Sequence, residues 1–202
     1  DKVWVSDGYT DAISGETALG ELATLVKDNV STEQVNNVLS NFSSEGSYSL
    51  MNSFLGFIPG SIGETSVLAV LIGASILLLT GLGSWRIMFS ALLGGFFMAS
   101  IFKLWGANPF MELNPIHQLC IGGFMFAIVF MATDPVSAAQ TNTGKLIYGF
   151  LCGFLGIMIR VFNPAYPEGI MLAILFMNVM APLIDHYVVE ASVKRRMSRV
   201  NI

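Results

Sequence analysis

Charge is what this sequence has least of. Only 12% of its residues are Asp, Glu, Lys or Arg, against 53% hydrophobic ones, and the mean hydropathy is +0.65. A soluble domain usually carries about 25% charged residues. Cysteine and histidine are just as sparse. Cys120 and Cys152 both lie in apolar runs, where they behave as small hydrophobes. Two cysteines cannot hold an iron–sulfur cluster unless other chains supply ligands. His117 and His186 have no ligand-spaced partners, which argues against a metal site and a nucleophilic triad. No glycine-rich stretch is followed by Gly-Lys-Ser/Thr, so a P-loop is excluded. No basic patch is interleaved with aromatics, so nothing points to nucleic acid.

What the sequence has instead is long apolar runs. Five of them, roughly 66–83, 87–104, 116–133, 146–161 and 169–183, fill the last two-thirds. Between Thr65 and Leu183 the only charges are Arg86, Lys103, Glu112, Asp134, Lys145, Arg160 and Glu168, near the ends of the runs. Several runs fall short of the ~20 residues of a perpendicular span, and interfacial flanks close the gap for most. The expectation is an all-α, polytopic membrane protein with about five transmembrane helices. Three regions follow: a polar extramembrane segment (1–48), a helical bundle (49–190) and a basic tail (191–202). The chain opens on Asp1 rather than Met and has an odd number of spans after a polar front, so it reads as the second half of a longer protein.

Basic residues set the orientation. With Lys194, Arg195, Arg196 and Arg199 cytoplasmic, Arg86 and Lys145 fall on the same side. Lys2, Lys27, Lys103 and Arg160 remain for the outside, along with residues 1–48 and the loops at 105–115 and 163–168. In the polar front, 17–30 predicts a short amphipathic helix with Leu19, Leu22, Ala23 and Val26 on one face. A second helix over 31–39 would start from Ser31 as cap with Gln34 three residues on, and 41–48 reads as a turn-rich connector.

Two interruptions stand out. Leu50–Ile58 is too short to span and ends in Pro59-Gly60-Ser61-Ile62-Gly63-Glu64-Thr65. The second break is Met131-Ala132-Thr133-Asp134-Pro135-Val136-Ser137, where Asp134 before a proline resists helix. Paired breaks point to a transporter-like midplane site; ordinary interfacial turns are the other reading. In the last run Pro182 bends the helix, and Asp185 is either an interfacial anchor or, facing the bundle, an ion-entry candidate. Phe126 and Phe130 share one helix face, for packing or for a hydrophobic gate. The Gly94-Gly95, Gly122-Gly123 and Gly149, Gly153, Gly156 series reads as close helix packing.

The polar front carries Asp11-Ala12-Ile13-Ser14-Gly15-Glu16-Thr17. This resembles the flavinylation motif Asp-x-x-Ser-Gly-Ala-Thr, in which a flavin transferase joins FMN to the threonine hydroxyl. Asp11, Ser14, Gly15 and Thr17 match, and Glu16 stands where the motif has Ala. Downstream, Phe57–Glu64, Phe130–Ala138, Arg160–Gly169 and Asp185-His186 before the basic tail resemble the C-terminal half of the B subunit of the sodium-translocating NADH:quinone oxidoreductase. The D subunit of the related Rnf complex has the same build.

The resemblance implies one five-helix repeat of a urea-transporter-like ten-helix fold in the bacterial inner membrane. It implies covalent FMN on Thr17, a non-covalent riboflavin, and quinone reduced nearby, within a multi-subunit redox complex matured by a flavin transferase. Thr17 would be periplasmic and the tail cytoplasmic. Asp11, Ser14 and Gly15 would serve the transferase's recognition. Sodium, if it passes here, would meet oxygen ligands at Glu64, Asp134 and Asp185, with Phe126 and Phe130 as gate. A urea-transporter-like channel without redox work and a purely structural subunit that docks the redox partners are the alternatives.

Overall fold

The computed structural model describes residues 2–7, 10–27, 32–43 and 46–200, and the side chains within 17–26, 35–43 and 46–199. Among these, the first elements are strands, so the all-helical expectation fails for the polar front. β1 (Lys2–Asp7) and β2 (Thr10–Glu16) form an antiparallel hairpin pairing Trp4 with Ser14 and Val3 with Gly15. The β-branched and aromatic residues Val3, Trp4, Val5 and Ile13 are of the types that favour a pleated surface. Helix α1 (Ala18–Lys27) follows directly, with Leu19, Leu22 and Ala23 buried as the amphipathic pattern predicts. Helix α2 spans Thr32–Ser40; its expected cap, Ser31, lies outside the described residues, as does Val30.

The five apolar runs fold unequally. Three helices are long and apolar enough to cross a membrane: α5 (Trp85–Trp105), α9 (Asn142–Phe162) and α10 (Ile170–Val200). The first run yields only α4 (Val67–Leu79), 13 residues capped by Ser66 and preceded by the short α3 (Leu50–Leu55). Beyond α5 comes the short α6 (Pro109–Glu112). The third run breaks in its middle, not after its end. It gives α7 (Pro115–Cys120), a turn at Gly122 with φ +68°, α8 (Phe124–Phe126) and a π-helical turn over Ala127–Met131. A positive φ is a conformation glycine adopts without penalty, and it stops an otherwise apolar helix here. The five expected spans are therefore three long helices, one of 13 residues and one broken pair. The chain is a multi-pass membrane protein.

Helix α9 lies between α5 and α10. Its contact with α5 is so close that a Cβ on Gly153 would strike the Ala91 carbonyl, and one on Gly149 the Ser90 side chain. Small residues that let backbones approach are the usual means of packing helices in lipid, where apolar burial gives little preference. The chain beyond residue 191 is a continuation of α10, exposed along its length. At 31 residues that helix is about 46 Å long, against a hydrocarbon core of about 30 Å. Its end therefore projects past the span.

Candidate functional site: a helix break facing Thr17

Three irregular segments meet at one end of α9. They are the connection from α3 to α4, the break between α7 and α8, and the loop from α9 to α10. Thr17 faces them. Its hydroxyl accepts the Gly20 amide at 3.1 Å and its carbonyl accepts the Glu21 amide at 2.9 Å, so it caps α1. The side chain is 5% exposed. Thr17, Pro59, Glu64, Ile121, Gly122 and Glu168 line a small cavity, about 10 Å³, a volume that admits about one water.

The break is held from both sides. Arg160, on the last turn of α9, is 1% exposed. It donates to the Gln118 carbonyl through one terminal nitrogen and to the Ile121 carbonyl through the other, with its guanidinium 5.8 Å from the Phe124 ring centre. Those carbonyls are orphans at the end of α7, where the helix dipole favours a cation. Glu168 accepts the Gly123 amide at 2.9 Å, at the start of α8, where an anion is favoured. Its place in sequence puts Arg160 among the outer charges; the fold makes it a buried helix cap.

Glu64 and Glu168 also wall a second cavity of about 270 Å³, with Gly123, Phe126, Met131 and Tyr166. A Cβ on Gly123 would lie 2.6 Å from the Glu64 Oε2 and 3.6 Å from the Glu168 Oε2, so both carboxylates close on one glycine. Only glycine allows that approach. Phe126 stacks on Phe130 with ring centres 5.0 Å apart, along the segment that carries the π-helical turn. Such turns recur at functional sites.

The polar front is tied to this broken helix. The Tyr48 hydroxyl donates to Glu21 on α1 at 2.9 Å, and His117 on α7, as the tautomer protonated at Nε2, donates to the Tyr48 carbonyl at 3.2 Å. Both helices are thereby registered on the connector between them.

The other expected ion ligands lie elsewhere. Asp134 accepts the Ser137 amide at 3.0 Å and its hydroxyl at 2.7 Å, closing a turn. These two bonds hold its carboxyl below the usual range. Asp185 accepts the Gln140 amide at 2.6 Å, the Thr141 hydroxyl at 2.6 Å and the Thr141 amide at 3.1 Å, anchoring the start of α9. Glu168 stands beyond the last turn of that 21-residue helix, about 30 Å along its axis. Glu64 is thus set at one end of α9, and Asp134 and Asp185 at the other, with Phe126 and Phe130 on the half-helix between. Among the described residues no three His, Cys, Asp or Glu side chains are grouped to hold a metal ion. Asp11, Ser14 and Gly15 belong to β2; their side chains lie outside the described ones. Sequence reasoning misses Glu168, Arg160 and the Gly122 turn, although a Gly-Gly pair inside an apolar run with a charge at each neighbouring run's end is a usable signal.

Comparison with known proteins decides the family. The family model described as NQR2, RnfD, RnfE matches residues 2–194. The chain belongs to this family. Among similar proteins, a Na(+)-translocating NADH-quinone reductase B subunit from Chromohalobacter salexigens is 50% identical over 202 residues, covering 98% of this chain and 45% of the relative. A protein of the same name from Azotobacter vinelandii is 47% identical, covering 98% and 46%. One from Stutzerimonas stutzeri is 50% identical over 151 residues, covering 74% and 38%. The chain thus spans less than half the length of these family members.

Proposed function

We propose that this chain is the part of a sodium-pumping NADH:quinone reductase B subunit that carries covalent FMN on Thr17. In this reading it passes electrons toward riboflavin and quinone in the bacterial inner membrane. The observation that carries the reading is the placement of Thr17, whose hydroxyl sits at the N-terminus of α1 and faces the break between α7 and α8. The residues present fit the group. A phosphoester at Thr17 would put negative charge at the positive end of a 10-residue helix, and the adjoining cavity offers Phe126, Tyr166 and Met131 as apolar walls. When bound, FMN supplies one- and two-electron transfer.

The chain's own residues supply position. Thr17 tethers, the Tyr48 bridge fixes α1 against α7, and Arg160 with Glu168 keeps the break in one geometry. Glu64 and Glu168 give the larger cavity a negative wall suited to a passing cation, which supports an ion route from this end past Phe126 and Phe130 toward Asp134 and Asp185. The Thr17 site and the 163–168 loop share one end of the bundle, the end the basic-residue rule assigns to the periplasm. Maturation would require a flavin transferase, for which Asp11, Ser14 and Gly15 are the recognition residues.

The test is in-gel fluorescence of the denatured chain made together with its flavin transferase. Fluorescence that survives denaturation and disappears in Thr17→Ala is expected. A non-fluorescent wild-type chain would remove the reading, leaving a channel-like or purely structural role.

A further inference from the structure

The opposite end of α9 holds a second cavity that the redox reading does not use. It measures about 200 Å³ and is lined by Gly83, Ser84, Trp85, Arg86, Asn142 and Lys145 among others. Arg86 and Lys145 are both half-buried in its wall, and no carboxylate lines it. Asp134 lines the smaller neighbouring cavity together with Lys145, and Asp185 lies within electrostatic reach of that lysine. Both acids are already bound to amide and hydroxyl donors. Among the described residues neither cation has a carboxylate within ion-pair distance; the one pair present is Lys194 with Glu190. Two cations in one concave wall, without a counter-ion, call for an anion.

The surroundings say which kind. Trp85 is 59% exposed beside the cavity, with the Arg86 guanidinium 5.7 Å from its ring centre. Tryptophan of this exposure at a span's end marks the headgroup level. From it a row of exposed apolar side chains descends α5 at every fourth position: Trp85, Phe89, Leu93, Phe97 and Ile101. Residues four apart stack on one helix face, and this row covers about 24 Å, comparable to an extended acyl chain. The cavity is therefore continuous with a hydrocarbon-facing track.

We infer that the Arg86–Lys145 cavity binds the headgroup of an anionic phospholipid, whose acyl chain lies along the Trp85–Ile101 row. The phosphate occupies the cavity between the two cations; Ser84 makes no side-chain cap bond at the start of α5, so the first amides of that helix are free to add donors. A zwitterionic lipid brings its own ammonium group against Arg86 and Lys145 and is disfavoured.

The experiment is native mass spectrometry of the full-length protein in its complex, released from nanodiscs of equal phosphatidylglycerol and phosphatidylcholine. Preferential retention of phosphatidylglycerol is expected, falling about thirtyfold in the double variant R86Q/K145Q, since each basic residue at a membrane surface contributes comparably. The charge-preserving R86K/K145R should retain the lipid within about threefold of wild type by the same reasoning, and Lys103→Gln, at the far end of α5, should change nothing. Should R86Q/K145Q fail to assemble, wild type washed at about 1 M salt, where screening acts over about 3 Å, should lose the bound lipid. Equal retention of both lipids, retention unaffected by R86Q/K145Q, or retention that survives the salt wash would overturn the inference. None of these outcomes depends on flavin at Thr17.

Discussion

Arg160 and Glu168 grip opposite sides of one helix break: the guanidinium takes the carbonyls that end α7, and the carboxylate takes the Gly123 amide that begins α8. Cation and anion each stand where the local dipole favours them. The break lies in the middle of an apolar run, where orphaned backbone groups have no water to bond. Both residues flank the single loop between α9 and α10, so one loop carries both halves of the clamp.

That clamp predicts a stability loss. Hydrogen bonds to charged groups contribute about 1.5–3 kcal/mol, and Arg160→Gln should lower the thermal midpoint in detergent by about 5 °C or more. Arg160→Lys should fall between. A midpoint unchanged in Arg160→Gln would show that the guanidinium is not holding the break.

Packing of α5 on α9 predicts a second loss. Gly153→Val forces a side chain into the Ala91 carbonyl, a strain typically of about 1–3 kcal/mol. Folded yield on size exclusion should drop sharply, while Gly106→Ala, at an open position with nothing within 4 Å, should lose far less. Equal yields for the two would contradict the packing account.

Asp134 predicts a pH dependence. The Ser137 hydroxyl and amide lower its carboxyl's pKa in the folded chain. A depressed folded value means the turn's stabilisation is present above the unfolded carboxylate's pKa, about 3.9, and is lost as pH falls through the lower folded value. Hydrogen-exchange protection at Ser137, corrected for intrinsic rate, should therefore hold at neutral pH and fall only in acid. In Asp134→Asn it should be weak at every pH; protection in that variant equal to wild type would count against the turn.

On the proposed ion route, Asp185→Asn in the full complex should leave flavin content intact and weaken the sodium dependence of turnover. It should also loosen the start of α9, since Asp185 accepts three hydrogen bonds there. Unchanged sodium dependence would remove Asp185 from the route and leave it an anchor.

The amphipathic pattern of α1, the short α3 before a Gly-Pro break, and the three long spans were legible because periodicity and length report them directly. The break at Gly122 was not. Phe124 to Val129 continues the apolar run without a polar residue, and hydropathy cannot distinguish a spanning helix from two halves joined by one glycine at positive φ. The β-hairpin was missed because Ser, Gly, Thr and Asp dilute its alternation. Arg160 and Glu168 read as charges at the ends of spans; their meeting with the break depends on how α9 packs, which no spacing encodes. Thr17 was legible as a motif and equally as a helix cap, and the fold uses it as a cap. The two roles share one atom.

The most direct test of the central claim is to digest the full-length protein matured with its flavin transferase and map the flavin by mass spectrometry. The account predicts FMN as a phosphoester on the peptide containing Thr17, absent from Thr17→Ala. Flavin mapped to any other residue, or a Thr17 peptide found wholly unmodified, would contradict it.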